Sequence, residues 1–530
     1  MTLGAFGSAA LLLPLERVAR AQLLLNNRLP ASALPKPFTI PYGAPPVVDL
    51  TGVPGGSFTK DGKPFLRVTM SQFGAEIIPG LTTPVWGYNG SAPGPTIRVK
   101  RGMPVVVRQV NRLPDRHPQL GYRPDTSVHL HGSASRPEFD GYANDLTKPG
   151  QYKDYEYPNI QNARTIWYHD HAVHHTASNV YMGLAAQYQL SDDEERALPL
   201  PKGRDFEGKE YDQPLIVQDA MFATDGSLIF TTNDDSGLFG DVILVNGRPW
   251  PVMKVERRKY RFRILNASVS RSYKLALSTG QPFTVIGTDS GLMPGPQTVA
   301  SFRQAPAERY EVVLDFKDNP KGTRVVLQNL RPKNNIDYPT TGTIMAFDVV
   351  SDATDTTNNE VPELLNPDQD VMGLTAADAK ATRRLDFVRK GGEWSINGKT
   401  WQDVVDSFTA VVASPTEDDV EVWELRNTSG GWFHPVHLHL VDFKILDRNG
   451  QPPLAHERGP KDVVYLGENE TVRVVTRFRN QVGRYMIHCH NTVHEDHDMM
   501  TQFEVRSRAG DNGPDPIKAA PPKDLPEGPF

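Results

Sequence analysis

Hydrophobic positions along this chain alternate with polar ones or gather in short β-branched runs. Thr96-Ile97-Arg98-Val99-Lys100 alternates, while Val105-Val106-Val107, Val312-Val313-Leu314 and Val472-Arg473-Val474-Val475 are dense in valine. A period of two places successive side chains on opposite faces of an extended backbone. The period near 3.6 that marks a long amphipathic helix is hard to find, and 43 glycines with 45 prolines break the chain often. Many short strands separated by turn signals predict an all-β protein built of sandwiches or barrels.

The pattern recurs. Asn89-Gly90 precedes Pro95-Thr96-Ile97-Arg98-Val99 and a strand ending at Asn111; Asn246-Gly247 precedes Pro251-Val252-Met253-Lys254-Val255 and a strand ending at Asn266. Asn397-Gly398 precedes Val420 to Asn427. The copies lie roughly 150 residues apart, a common domain length, and 530 residues exceed what one core usually organises. Three domains are expected, over 40–195, 205–350 and 370–507. The Asp-, Thr-, Asn- and Pro-rich stretch 351–370 reads as a linker. The Pro- and charge-rich segment 508–530 reads as a loose C-terminal tail.

The N-terminus carries an apolar run from Leu3 to Leu15, too short to span a bilayer. Ala19-Arg20-Ala21 follows with small residues at signal-peptidase spacing, so residues 1–21 read as a secretory signal and the protein as periplasmic or secreted. No positive region precedes the run, which points to a longer leader and the twin-arginine route; the alternative is a segment packed on the first domain. No other stretch is long enough to span a membrane. A net charge of −6 with no basic run argues against nucleic acid as a partner. A monomer is expected.

The chemistry is concentrated in histidine. Cys489, the only cysteine, lies within Ile487-His488-Cys489-His490, followed by His494 and Met499. A thiolate, imidazoles and a weak axial thioether suit an electron-transfer copper. In extended backbone Cys489 faces one way and His488 and His490 the other, so a second centre is expected behind the first. Partners occur upstream in His129-Leu130-His131-Gly132, in His169-Asp170-His171 and in His434-Pro435-Val436-His437-Leu438-His439. Ten of the fifteen histidines fall in these segments. One His-x-His pair is weak evidence of metal, but burying so many imidazoles without metal or hydrogen-bond partners would be costly. One thiolate among ten imidazoles favours copper over a structural zinc, which usually recruits several thiolates.

The four motifs, HxHG, HxH, HxxHxH and HCHxxxHxxxxM, resemble those of the multicopper oxidases, in the same order. The resemblance implies three cupredoxin-like Greek-key β-barrel domains, with a trinuclear cluster between the first and third and the second as a spacer. It implies four coppers per chain: a type 1 site of His434, Cys489, His494 and Met499, a type 2 site of His129 and His437, and a type 3 pair held by His131, His169, His171, His439, His488 and His490. His494-Glu495-Asp496-His497-Asp498-Met499-Met500 and Trp432-Phe433-His434 look like bilirubin oxidases; Trp167-Tyr168-His169-Asp170-His171-Ala172 looks equally like spore-coat-type laccases. By the same resemblance Asp140 and Glu495 are catalytic residues that handle protons at the cluster.

The implied activity is laccase-type. A phenolic or tetrapyrrole (bilirubin-like) donor docks at an exposed edge of His434 or His494 and gives up one electron, and four such electrons reduce dioxygen to two waters. A metallo-oxidase for Cu(I), Mn(II) or Fe(II) would use the same sites, although the 12 methionines form no dense cluster. A non-catalytic electron-transfer or copper-binding cupredoxin would not need the other eight histidines. His117, His174, His175, His456 and His497 fit no ligand position, and Trp432 is a candidate for contact with the donor.

Overall fold

The chain is seen in a computed structural model that describes residues 25–52, 59–60, 62–232, 235–366, 370–511 and 513–526. The predicted signal segment lies outside them. Strands dominate: the longest α-helix among the described residues is Thr176–Met182, of 7 residues. The strands form three pairs of sheets, one pair per copy of the sequence repeat, giving three cupredoxin-like domains.

Each copy repeats the same local devices. Asn89, Asn246 and Asn397 have φ of 52°, 51° and 53°, and the glycines after them 74°, 77° and 67°. A tight hairpin turn with both central residues left-handed selects Asn-Gly, which tolerates that backbone better than other pairs. Each of these asparagines also accepts a backbone N–H from a neighbouring strand, from Thr69, Ile216 and Asp386 in turn. The asparagines that end the later strands repeat in the same way: Asn111, Asn266 and Asn427 accept the N–H two residues on and donate to the carbonyls of Thr147, Gln304 and Gly467.

Parallel pairing recurs as well. Lys63–Ala75 lies beside Val105–Arg112, Asp212–Ala220 beside Lys259–Asn266, and Ala381–Lys390 beside Val420–Asn427. A hairpin cannot make a parallel pair, so each domain carries a crossover within otherwise largely antiparallel sheets. The first two domains share one continuous apolar core, including Trp86, Tyr168, Trp250 and Phe262. The third has its own, in which Trp423 packs against Phe478 and Phe503 and which also takes in Cys489 and Met499. Deleting a buried aromatic such as Trp423 would cost about 3–5 kcal/mol.

The segment after residue 507 is not loose where it is described. Lys523–Asp524 adds an antiparallel strand to Gln151–Tyr157 of the first domain, Leu525 donates to the carbonyl of Gly150, and Ile517 packs beside Trp401 and Met486. The sequence shows proline and charge there but not the open sheet edge that receives it.

Candidate metal centres

Strand geometry assembles the histidines. Val128–His131 pairs antiparallel with Arg164–Asp170, setting His129 opposite His169, and His434–Leu438 pairs with Gly483–Cys489, setting His437 opposite His488. Alternation then does what extended backbone requires. Cys489 points into the apolar core of the third domain, and His488 points the other way, toward the first domain.

Three groups of imidazole nitrogens converge, with ligand atoms within 4.8 Å of one another in each: His129, His131 and His437; His131, His169 and His490; His171, His439 and His488. The Nε2 of His488 lies 3.2 Å from the Nε2 of His171 and 3.2 Å from that of His439. Asp140 makes a further group with His129 and His439, and apart from all of these lies the group of His434, Cys489 and His494. There the Cys489 Sγ is 3.3 Å from His434 Nδ1 and 3.6 Å from His494 Nδ1. Met499 is buried in the same core, and the Cys489 N–H donates to its carbonyl.

The ring nitrogens facing away from these convergence points are tied down, which sets which nitrogen stays free to bind metal. His129 Nδ1 donates to the carbonyl of Asp140, His437 Nδ1 to that of Asp462 at 2.8 Å and His169 Nδ1 to that of Asp170 at 2.8 Å. His439 Nδ1 donates to Asp140 Oδ2 at 2.7 Å, and His131 Nε2 to Asp462 Oδ1 at 3.1 Å. The opposite atoms, Nε2 of His129, His169 and His437 and Nδ1 of His131, are buried with no protein partner. Unpartnered buried nitrogens in convergent groups are what a bound cation would satisfy.

Protonation fits as well. Burial pushes the imidazoles of His129, His131, His437, His439 and His490 well below their ordinary range, His169 to about 3 and His171 to about 4. These rings are neutral at pH 7, the form that ligates. Burial pushes the Cys489 thiol well up, so a coordinated cation would be needed to hold it as thiolate. One soft thiolate with nitrogen-rich neighbours is a donor set suited to copper.

Asp140 and Glu495 are both buried at the cluster. Glu495 Oε2 lies 2.9 Å from His488 Nδ1, and its Oε1 lies 3.4 Å from His171 Nδ1. Burial raises the Asp140 carboxyl well above its usual value. Burial also raises that of Glu495, but His488 and His171 outweigh it and hold it at about 2. Gly141, with φ of 79°, is required beside Asp140, because a Cβ there would meet the His129 backbone at 2.6 Å.

Two sequence expectations change. The second domain is more than a spacer: Arg309 forms a buried ion pair with Asp462, the carboxylate on His131, and donates to the carbonyl of Asp289. The Gly132 of HxHG accommodates that pair, since a Cβ would meet Arg309 Nη2 and Asp462 Oδ2 at 2.9 Å each. Nor is either imidazole beside Cys489 exposed, because both His434 and His494 are 0% accessible. His434 Nε2 meets Ser429 Oγ at 2.7 Å, and His494 Nε2 donates to the carbonyl of Ser236 at 3.0 Å. Reasoning from motifs does not find Asp462, Arg309, Ser429 or Ser236, which stand at no fixed spacing from a histidine.

Among the described residues, the remaining histidines join no metal-capable group. His175 stacks on Tyr122 at 3.8 Å, and His117 stacks on the same ring at 5.0 Å. His456 packs against Phe302 and Tyr310, His174 Nδ1 donates to the carbonyl of Asp496, and His497 Nε2 lies 2.9 Å from Asp235.

A thiolate–imidazole site joined by one strand to a cluster of buried imidazoles, all within cupredoxin-like domains, defines a copper-dependent oxidoreductase. Three family models described as multicopper oxidase match residues 70–194, 213–351 and 373–509. The chain is 42% identical over 488 residues to a bilirubin oxidase of Albifimbria verrucaria, covering 88% of this chain and 81% of that protein. It is 36% identical over 480 residues to a laccase of Bacillus stratosphericus, covering 80% and 91%. The crystal structure of the McoA multicopper oxidase from Aquifex aeolicus superposes with a TM-score of 0.76 at 29% identity, covering 88% of this chain and 99% of that one. The chain belongs to the multicopper oxidase family.

Proposed function

We propose that the protein is a laccase-type oxidase that takes electrons singly from phenolic or tetrapyrrole donors and passes them to dioxygen, which is reduced to water. Four coppers per chain suit this arrangement: one at His434, Cys489 and His494, with Met499, buried in the same core, as the fourth candidate ligand, one at His129 and His437, and two among His131, His169, His171, His439, His488 and His490. When bound, copper supplies one-electron redox chemistry at the thiolate site and the reduction of dioxygen at the cluster.

The observation that carries this reading is the continuity of Gly483–Cys489 into His490. It puts Cys489 in one centre and its two sequence neighbours in the other. The residues divide the remaining work. Asp140 Oδ1 is buried without a protein partner and is placed to hold a proton beside His129, 3.6 Å away. Glu495 is placed to exchange protons beside His488 and His171. A positioned carboxylate that transfers protons contributes typically about 100- to 10,000-fold to rate.

Oxidation of Cu(I), Mn(II) or Fe(II) is the second reading. Among the described residues, every group of three or more metal-capable side chains belongs to the two centres above, so an ion donor has no further preformed seat of that kind. Steady-state rates on bilirubin, a dimethoxyphenol and Cu(I), measured side by side, decide the matter. Turnover of the organic donors is expected, and turnover of Cu(I) alone would overturn the proposal. No helix among the described residues is long and apolar enough to cross a membrane. The apolar run at Leu3 to Leu15 supports export, and the native protein is proposed to be a monomer; fractionation and sizing test the two in turn.

A further inference from the structure

An electron bound for the thiolate site must cross protein, because His434 and His494 are both sealed from solvent. What covers His494 is the indole of Trp394, stacked on the imidazole with ring centroids 3.9 Å apart and planes 28° apart. The same indole meets His434 edge-on at 5.5 Å and Trp432 edge-on at 6.1 Å; Trp432 also meets His494, edge-on at 6.0 Å, so the stacked Trp394 makes the closer approach to that imidazole. Trp394 is itself fully buried, whereas Trp432 is half-buried.

The stack is held from several sides. Trp394 lies on the strand Glu393–Ile396, in register with Arg389 of Ala381–Lys390, and the Arg389 guanidinium lies 4.6 Å from the indole centroid. Its Nε1–H donates to the carbonyl of Asp235 at 3.0 Å, next to the Ser236 carbonyl that fixes His494. A buried tryptophan usually places its N–H on a partner and both faces against apolar groups. Here one face is given to an imidazole that could ligate copper.

We propose that Trp394 is the relay through which a donor's electron reaches the thiolate site, with the exposed part of Trp432 as the surface that the donor touches. This rests on the oxidase reading above. Each donor molecule loses one electron, and a phenolic donor releases its proton to water. The electron would cross Trp432, Trp394 and His494 to reach a copper(II) held at the thiolate site, with dioxygen as the final oxidant. A donor then needs only edge contact with an indole, not a slot shaped to it, so small phenols and large tetrapyrroles are both served.

Anaerobic stopped-flow reduction of the copper-loaded protein tests the relay. Trp394→Leu removes the aromatic ring, and Trp394→Phe keeps a smaller, less readily oxidised one without the N–H. The expected result is slower bleaching of the thiolate absorption in both, by about tenfold or more in the leucine variant, a decade being about 1.4 kcal/mol of barrier. Copper content, the redox potential of the site and the rate of reoxidation by dioxygen are expected to stay as in the wild type, which separates a relay from simple packing. Bleaching at the wild-type rate in the leucine variant, or in the phenylalanine variant should the first not fold, would overturn the proposal. A wild-type protein with no such absorption, or reduced by no donor, would instead overturn the oxidase reading beneath it.

Discussion

Around the cluster, carboxylates meet the imidazoles: Asp140 on His439, Asp462 on His131 and Glu495 beside His488. Around Cys489 the groups that touch the imidazoles are neutral: Ser429 Oγ on His434, the Ser236 carbonyl and the Asn491 amide on His494, the Trp394 indole that separates His494 from Arg389, and an apolar core. One strand serves both centres, yet their surroundings differ in charge. Reducing dioxygen to water consumes protons and gathers several cations in one cavity, and buried carboxylates answer both needs. Passing single electrons needs neither, and a dry neutral shell lets the site change charge with little rearrangement around it.

Two such different surroundings predict a complete split at Cys489. Cys489→Ser removes the thiolate from the neutral centre and leaves every imidazole of the cluster in place. Loss of the blue absorption and of nearly all oxidase activity is expected, with copper retained at the cluster by metal analysis and by its electron paramagnetic resonance signal. Loss of all copper would show that the two centres are not separately built.

The converse change belongs to the carboxylates. Asp140→Asn and Glu495→Gln keep shape and hydrogen-bonding reach while removing the titratable group. Anaerobic reduction of the thiolate site is expected at nearly the wild-type rate, with reoxidation by dioxygen slowed about 100-fold or more and the loss dependent on pH. Slow reduction with normal reoxidation would place these groups in donor docking instead.

How far this division is legible in the sequence depends on the kind of residue. The pairs His129/His131, His169/His171, His437/His439 and His488/His490 stand at the spacing by which extended backbone puts two rings on one face, so these pairs are legible from spacing, while their division among copper sites is what the family resemblance implies. The three-domain repeat is equally open, since Asn89, Asn246 and Asn397 sit where a left-handed turn residue is required. The burial of His434 and His494 is not, because Trp394 and Ser236 reach them from distant segments. Asp462 and Arg309 are hidden for the same reason: their pairing spans 153 residues between two domains. The docking of Lys523–Asp524 depends on a sheet edge that no local pattern announces.

Asp462 ties the cluster to the second domain, because it is a cluster carboxylate that touches His131 and also pairs with Arg309. Asp462→Asn keeps an acceptor for His131 Nε2 but leaves the buried Arg309 without its counter-charge. Loss of an outer partner to a metal-binding histidine typically weakens metal affinity by about 10- to 100-fold. Copper is therefore expected to leave the cluster at chelator concentrations that leave the blue absorption intact. Parallel loss from both centres would mean that the change unfolds the domain interface and is not confined to one side of it.

The smallest effect is expected inside the neutral shell. Met499 is fully buried in the same apolar core as Cys489. A thioether at the axial position donates weakly to the metal and favours the oxidised form, and leucine of similar volume removes that donation without adding charge. Met499→Leu should therefore raise the redox potential of the thiolate site while the protein stays blue, folds normally and retains its cluster copper. Redox titration of the blue absorption measures the shift directly. An unchanged or lower potential would mean that Met499 fills the core beside Cys489 without acting on the metal, and the tuning would then have to come from the imidazoles and their neutral partners alone.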